Sequence, residues 1–227
     1  LAAPFDSPLI ALDRPQETPL GRVALDRDAL ARLPPARGDE VLAHGTSRAF
    51  ELQALFLRLL LPRLPALALL VPSGDGPPHA ALEALAALDD LPGRTFWLAA
   101  ADLSERFGVR AADPPQRGRS AAAHRGTAHE ETPGLLVHGG EIERLRARDA
   151  LRVDAATRLD ADGWWELARG SEDALARDTA GVVWLLLRRM AAARSSADGA
   201  PVRGSLLGYR ASTERSGVVS SASVVFH

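Results

Sequence analysis

Residues 66–101, ALALLVPSGDGPPHAALEALAALDDLPGRTFWLAAA, decide the fold class that the sequence predicts. Ala66 to Val71 is a continuous apolar run of strand length that enters a PSGDGPP turn. His79 to Leu88 follows as an amphipathic, Ala-rich helix, and Arg94 to Ala101 is a second continuous apolar run. Strand, helix, strand with both strands apolar throughout is the pattern of parallel strands covered on both faces, joined by a right-handed crossover. The expected class is α/β. The second run then passes into Asp102, Ser104 and Glu105, where a strand hands its carboxyl end to a loop, and in open α/β sheets that edge binds ligands.

Outward toward the N-terminus, Leu1 to Pro19 is Pro-rich extended chain with one strand expected at Leu9 to Leu12. Thr18-Pro19-Leu20-Gly21 makes a turn into a short strand, Arg22 to Ala24. Asp26 caps a helical turn that runs to Leu33 and ends at Pro34 and Pro35. Phe50, Ala54, Leu57 and Leu61 recur on one helical face, widened by Leu55, Leu59 and Leu60, so a mostly buried helix is expected over Phe50 to Leu61. Ser47 is its expected N-cap, and Pro62 and Pro65 stop it.

Toward the C-terminus, residues 110–133 are rich in Arg, Ala, Pro and Gly with no apolar period, and read as a long surface loop. Its basic residues lack the interleaved aromatics of a single-strand nucleic-acid surface. Helices are expected over Gly140 to Thr157, Asp160 to Ala168, started by Asp160 or Asp162, and Gly181 to Ala193, with Trp164 and Trp165 as packing residues. Ser205 to Ala211 and the β-branched run Val218 to Phe226 read as two closing strands. No internal repeat is apparent, and at 227 residues the chain is expected to form one domain, 1–227, with a long surface loop at 110–133.

Composition narrows the function classes. The 227 residues are 46% hydrophobic with a net charge of -2, which gives no general attraction to nucleic acid or to an anionic membrane. No apolar run approaches the roughly 20 residues of a membrane span; Leu55 to Leu70 is broken by Arg58, Pro62, Arg63 and Pro65. No signal peptide is visible and a cytoplasmic location is expected. The absence of cysteine excludes disulfides, thiolate nucleophiles and Cys-based zinc sites. Lys is also absent, which excludes Schiff-base chemistry, and with Asn absent and Ala and Arg abundant the usage resembles a GC-rich bacterial coding bias.

Single motifs add little. Ser73 in PSGDG lacks a G-x-S-x-G elbow and reads as a turn residue, and Gly74-Asp75-Gly76 lacks the Lys and Ser or Thr of a phosphate loop. His44 reads first as a loop residue. His124, His129 and His138 lie in a loop and at a strand end, with no spacing that forces them together.

Four stretches in order resemble the Memo family, whose bacterial members are called AmmeMemoRadiSam system protein B. Thr18 to Gly21 matches its TPLG, followed by an acidic strand-to-helix step at Asp26. Phe50 to Leu57, FELQALFL, resembles its LEVQLPFL helix, retaining Glu51, Gln53, Phe56 and Leu57. Ala100 to Ser104, AADLS, resembles its SSDFS turn, and Leu207 to Phe226, LGYRASTERSGVVSSASVVF, resembles its final Y-x-x-S segment and closing strand. The resemblance implies a three-layer α/β fold with a mostly parallel or mixed central sheet and helices on both faces. That fold is related to the class III, LigB-type extradiol dioxygenases, which use non-haem iron. Such chemistry needs His and carboxylate ligands around open metal positions.

The departures from the family pattern fall on those ligands. The family's P-H-A-G-Y stretch has no counterpart here. The His of its E-H-S-L-E falls on Arg48, the His after SSDFS falls on Glu105 or is lost in a one-residue shift, and the Cys of its C-G-x-G-P step aligns near Asp178, with Gly181 retained. A guanidinium has five donors, no lone pair for a metal and a permanent charge. The resemblance thus outlines an ancestral pocket of Arg48, Glu51, Asp102, Glu105, Asp178 and Tyr209. It implies a cofactor-free, degenerate, non-catalytic subunit or a small-molecule or partner-binding module.

The alternative is a divergent metal-dependent oxygenase in which His44, Asp102, Glu105 and Asp178 hold iron or manganese. Whether the chain is an enzyme stays open at this point. Because the family's first segment has no match, an exposed sheet edge or apolar face is expected, and with it a homo- or hetero-oligomer.

Overall fold

Local sequence accounts for most of the elements in the computed structural model, which describes residues 7–35, 48–72, 74–91, 95–100, 104–107, 139–171, 174–196, 202–214 and 217–227. Leu9 to Leu12 is a buried apolar run, and its centre forms β1 (Ile10–Ala11), paired antiparallel with β4 (Leu69–Leu70). β2 (Gln16–Thr18) and β3 (Gly21–Val23) make a hairpin around the Thr18 to Gly21 turn. The Thr18 hydroxyl donates to the Gly21 carbonyl at 2.6 Å and accepts from the Leu20 amide at 3.2 Å, while Gly21 takes a φ of 107°, open to glycine at little cost. Asp26 caps α1 (Arg27–Leu30), its Oδ1 accepting the Ala29 amide at 2.9 Å.

Helix α2 (Arg48–Leu60) packs on the β2–β3 hairpin, and Arg58 Nε donates to the Leu20 carbonyl at 3.2 Å. It is less buried than its periodicity predicts. Ala54 is buried, but Leu52, Phe56, Leu59 and Leu60 are exposed, because a hairpin of three-residue strands is too small to cover so wide an apolar face.

The 66–101 stretch folds differently from its expected strand, helix, strand. Helix α3 (His79–Ala86) forms as predicted. The first apolar run supplies only the two-residue β4, and residues 95–100 carry no ladder; Phe96 and Leu98 are exposed there. The ladders among the described residues are all antiparallel, with a single parallel bridge between Leu25 and Ala66. An apolar run is equally compatible with packing as irregular chain. Here Trp97 lies under the Arg189 guanidinium, 5.0 Å from its ring centroid, instead of entering a sheet.

Among the described residues the three-stranded sheet joins a mid-chain strand to the C-terminal segment. β5 (Ser104–Phe107), β6 (Gly204–Glu214) and β7 (Gly217–Phe226) lie in the order β5-β7-β6, with a register shift between Leu206 and Gly208. Ser220, Ala222, Val224 and Phe226 alternate with exposed residues along β7 and form its inner face. Against this sheet packs α4 (Gly139–Thr157). It approaches so closely at Gly204 that an added Cβ would lie 2.7 Å from Thr157 Cα.

Helix α5 (Ala161–Arg169) is capped by Asp160 and buries Ala161, Trp164, Trp165 and Ala168, the spacing of one helical face. It packs on α6 (Ala174–Ser196), which starts earlier than the apolar run at Gly181 suggests; Ala and Arg are strong helix formers and extend it. Trp184 of α6 is fully buried at the centre of the core. Its ring meets His79 edge-on at 4.9 Å, and its indole N–H donates to Asp162 Oδ1 at 3.3 Å. That bond, ahead of the ion pair to Arg188, holds the Asp162 carboxyl below its usual range.

The chain is therefore α/β in the broad sense, helices with small antiparallel sheets, and no described helix is long and apolar enough to cross a membrane. The expected loop at 110–133 lies outside the described residues.

Candidate functional site

The described site grows from the one tyrosine in the chain. Tyr209 stands on β6 opposite Ala222 of β7, on the inner face of the sheet. Its hydroxyl donates to Oδ2 of Asp149 on α4 at 2.8 Å. Asp149 is 0% exposed, and Arg152, one turn further along α4 and 2% exposed, places Nη1 3.7 Å from its Oδ1. Ser220, also buried, lies on the same inner face two residues along β7. Burial, then the hydrogen bond to Asp149 and its charge, push the Tyr209 phenol up to about 12, with Ser220 and Arg146 acting against the shift.

Electrostatics fixes what this cluster can do. A phenol with so raised a pKa keeps its proton throughout the physiological range and acts as a hydrogen-bond donor, not as a base or nucleophile. Asp149 faces both a guanidinium and a phenol, which satisfies a carboxylate that would otherwise be costly to bury. The arrangement is a fixed polar clamp between helix and sheet.

The sequence-derived pocket is only partly visible. His44 and Asp102 lie outside the described residues. Arg48, Glu105 and Asp178 are placed by their backbones on α2, β5 and α6, and their side chains are outside the described set. Glu51 is exposed on α2. Glu105 and Tyr209 belong to one sheet, through β7, and α6 packs against β5. Arg48 and Glu51 belong to the helix that packs on the β2–β3 hairpin.

Among the described residues no group of three or more His, Asp or Glu side chains is arranged to hold a metal ion. The buried carboxylate beside Tyr209 is taken up by Arg152 and the phenol, so this part of the site does not fit iron or manganese. Sequence reasoning missed Asp149 and Arg152. The signal was present: Leu145, Asp149, Arg152, Val153 and Ala156 share one helical face, so two charged residues interrupt an apolar stripe.

Comparison of the chain with family models, with curated proteins and with solved structures finds no match.

Proposed function

We propose that the chain is a degenerate, metal-free Memo-like protein of the LigB-type superfamily, working as a non-catalytic subunit or binding module in a bacterial cytoplasm. The finer architecture, a three-layer fold around a mostly parallel or mixed sheet, is part of this proposal.

The observation that carries it is the way the four Memo-like stretches meet in pairs. The Thr18 to Gly21 turn packs against the helix that holds Phe50 to Leu57. The end of the Ala100 to Ser104 stretch pairs with the final segment, Ser104 standing opposite Ser220. Stretches far apart in sequence that share a family pattern and touch in space support a common ancestral framework. The chemistry of Arg48 supports loss of the metal, since a guanidinium offers no lone pair at a ligand position. The exposed stripe of Leu52, Phe56, Leu59 and Leu60 supports a role in association, as a homo- or hetero-oligomer.

The test is anaerobic titration of the purified chain with Fe(II) and with Mn(II), followed by calorimetry. The proposal expects no saturable site. A stoichiometric site that is lost in Asp178→Ala would overturn it in favour of a divergent oxygenase using His44, Asp102, Glu105 and Asp178.

A further inference from the structure

Helix α2 carries more apolar surface than the hairpin beneath it can cover. Leu52, Phe56, Leu59 and Leu60, at i, i+4, i+7 and i+8, stand on one helical face and are between 53% and 70% exposed, whereas Ala54 is buried. Leu61, whose amide continues the helical bonding to the Leu57 carbonyl at 2.8 Å, and Leu64 follow at 44% exposed each. Together the six side chains leave roughly 500–600 Å2 of apolar surface in water, the upper end of what a monomer presents as one patch.

Opposite charges bound the stripe at its two ends. Glu51 immediately precedes Leu52, and Arg63 follows Leu60; both are exposed, and among the described residues neither carries an ion pair. In sequence, Leu52 and Leu60 are centred on Phe56, and Glu51 and Arg63 on its neighbour Leu57. A surface with an acid at one end, a base at the other and an aromatic ring in the middle is complementary to itself turned end for end. A two-fold axis at Phe56 brings Leu52 toward Leu60 and Glu51 toward Arg63, each pair twice over. Parallel pairing would instead set Glu51 against Glu51 and Arg63 against Arg63, and would oppose like helix ends. Two copies of the patch bury about 1,100 Å2, and the charged rim brings this to the roughly 1,200 Å2 at which specific interfaces begin.

We infer that the partner of this face is a second copy of the chain, joined through an antiparallel α2–α2 contact with Phe56 at the two-fold axis and Glu51–Arg63 pairs at both rims. The inference rests on the association part of the proposed function and names its partner and surface. The two fail separately: a metal-free monomer overturns this inference and leaves the metal-free reading standing, and a metal-loaded dimer does the reverse.

The experiment is sedimentation equilibrium and light scattering of the full chain across the micromolar range. The mass is expected to reach twice the 24.1 kDa of one chain and to fall on dilution. Phe56→Glu, which faces two carboxylates across the axis, should weaken the dimer about a hundredfold or more. Glu51→Arg sets like charges at both rims and should weaken it about tenfold, while Glu51→Arg combined with Arg63→Glu exchanges the signs and should restore it. The charge variants alter only exposed side chains, so they decide the matter if Phe56→Glu loses its fold. A monomer at every concentration, a dimer that a folded Phe56→Glu leaves intact, or a complex with a different chain in its place would overturn the inference. So would a single charge reversal without effect, or a double exchange that fails to restore the dimer.

Discussion

The Tyr209 hydroxyl donates to Oδ2 of Asp149 at 2.8 Å, tying β6 to α4 across 60 residues of chain. With Arg152 3.7 Å from the other carboxylate oxygen, the three side chains form a single polar unit under the sheet.

Removing one member of that unit is predicted to cost more than removing the charges together. Asp149→Ala removes one partner of a buried ion pair, a loss of about 3–5 kcal/mol. Asp149→Leu with Arg152→Met, which replaces the ion pair by apolar side chains of similar size, should lose less than the single change. Urea unfolding of the two variants checks the order, and an equal or larger loss in the double variant would contradict the account.

Tyr209 provides a direct pH readout, because the chain has one tyrosine and phenolate absorbance reports on it alone. In the folded protein the transition is predicted near pH 12, pushed up from 10.0 by burial and by Asp149. The folded pKa lies above the unfolded one, so the folded state holds the proton more tightly. The resulting stability is complete below pH 10 and is lost as pH rises toward 12. Asp149→Asn should move the absorbance transition down; an unchanged midpoint would remove Asp149 as a cause.

Gly204 is predicted to tolerate no side chain. A Cβ there would lie 2.7 Å from Thr157 Cα and 2.9 Å from its carbonyl oxygen, both backbone atoms that cannot turn aside. Gly204→Ala should cost about 1–3 kcal/mol in thermal or chemical unfolding. Gly208, where an added Cβ meets nothing within 4 Å, is the control and should change little as Gly208→Ala.

Trp184 is fully buried at the junction of α3, α5 and α6, held by His79, Asp162 and the Arg188 guanidinium 5.2 Å from its ring. Trp184→Ala is predicted to destabilise by about 3–5 kcal/mol, the cost of a large aromatic cavity. Asp162→Ala should cost far less, since its carboxylate is largely exposed.

Much of the helical part of this fold was legible because its signals are local. Asp26 caps the helix that it was expected to cap, Asp160 of the two candidates Asp160 and Asp162 caps the next, and the Trp164–Trp165 face is core. The closing strands were equally plain, since Val218 to Phe226 is rich in β-branched residues, which favour strands. The parallel sheet expected from 66–101 was not legible in the same way. An apolar run states that a segment is buried or packed, not which strand it pairs with, and pairing is decided by partners such as Ile10 and Ala11 far away in sequence.

The described cluster shares Tyr209 with the pocket expected from the sequence, while Asp149 and Arg152 were hidden by their type. Charged residues on a helix usually face water, and only their register with Leu145 and Val153 sets them inward.

The central claim is that the ancestral metal site has been lost, and the most direct measurement is the metal content of freshly purified protein by elemental analysis. The account predicts iron and manganese far below one equivalent per chain. Stoichiometric iron or manganese, removed by Asp102→Ala or Asp178→Ala, would contradict it.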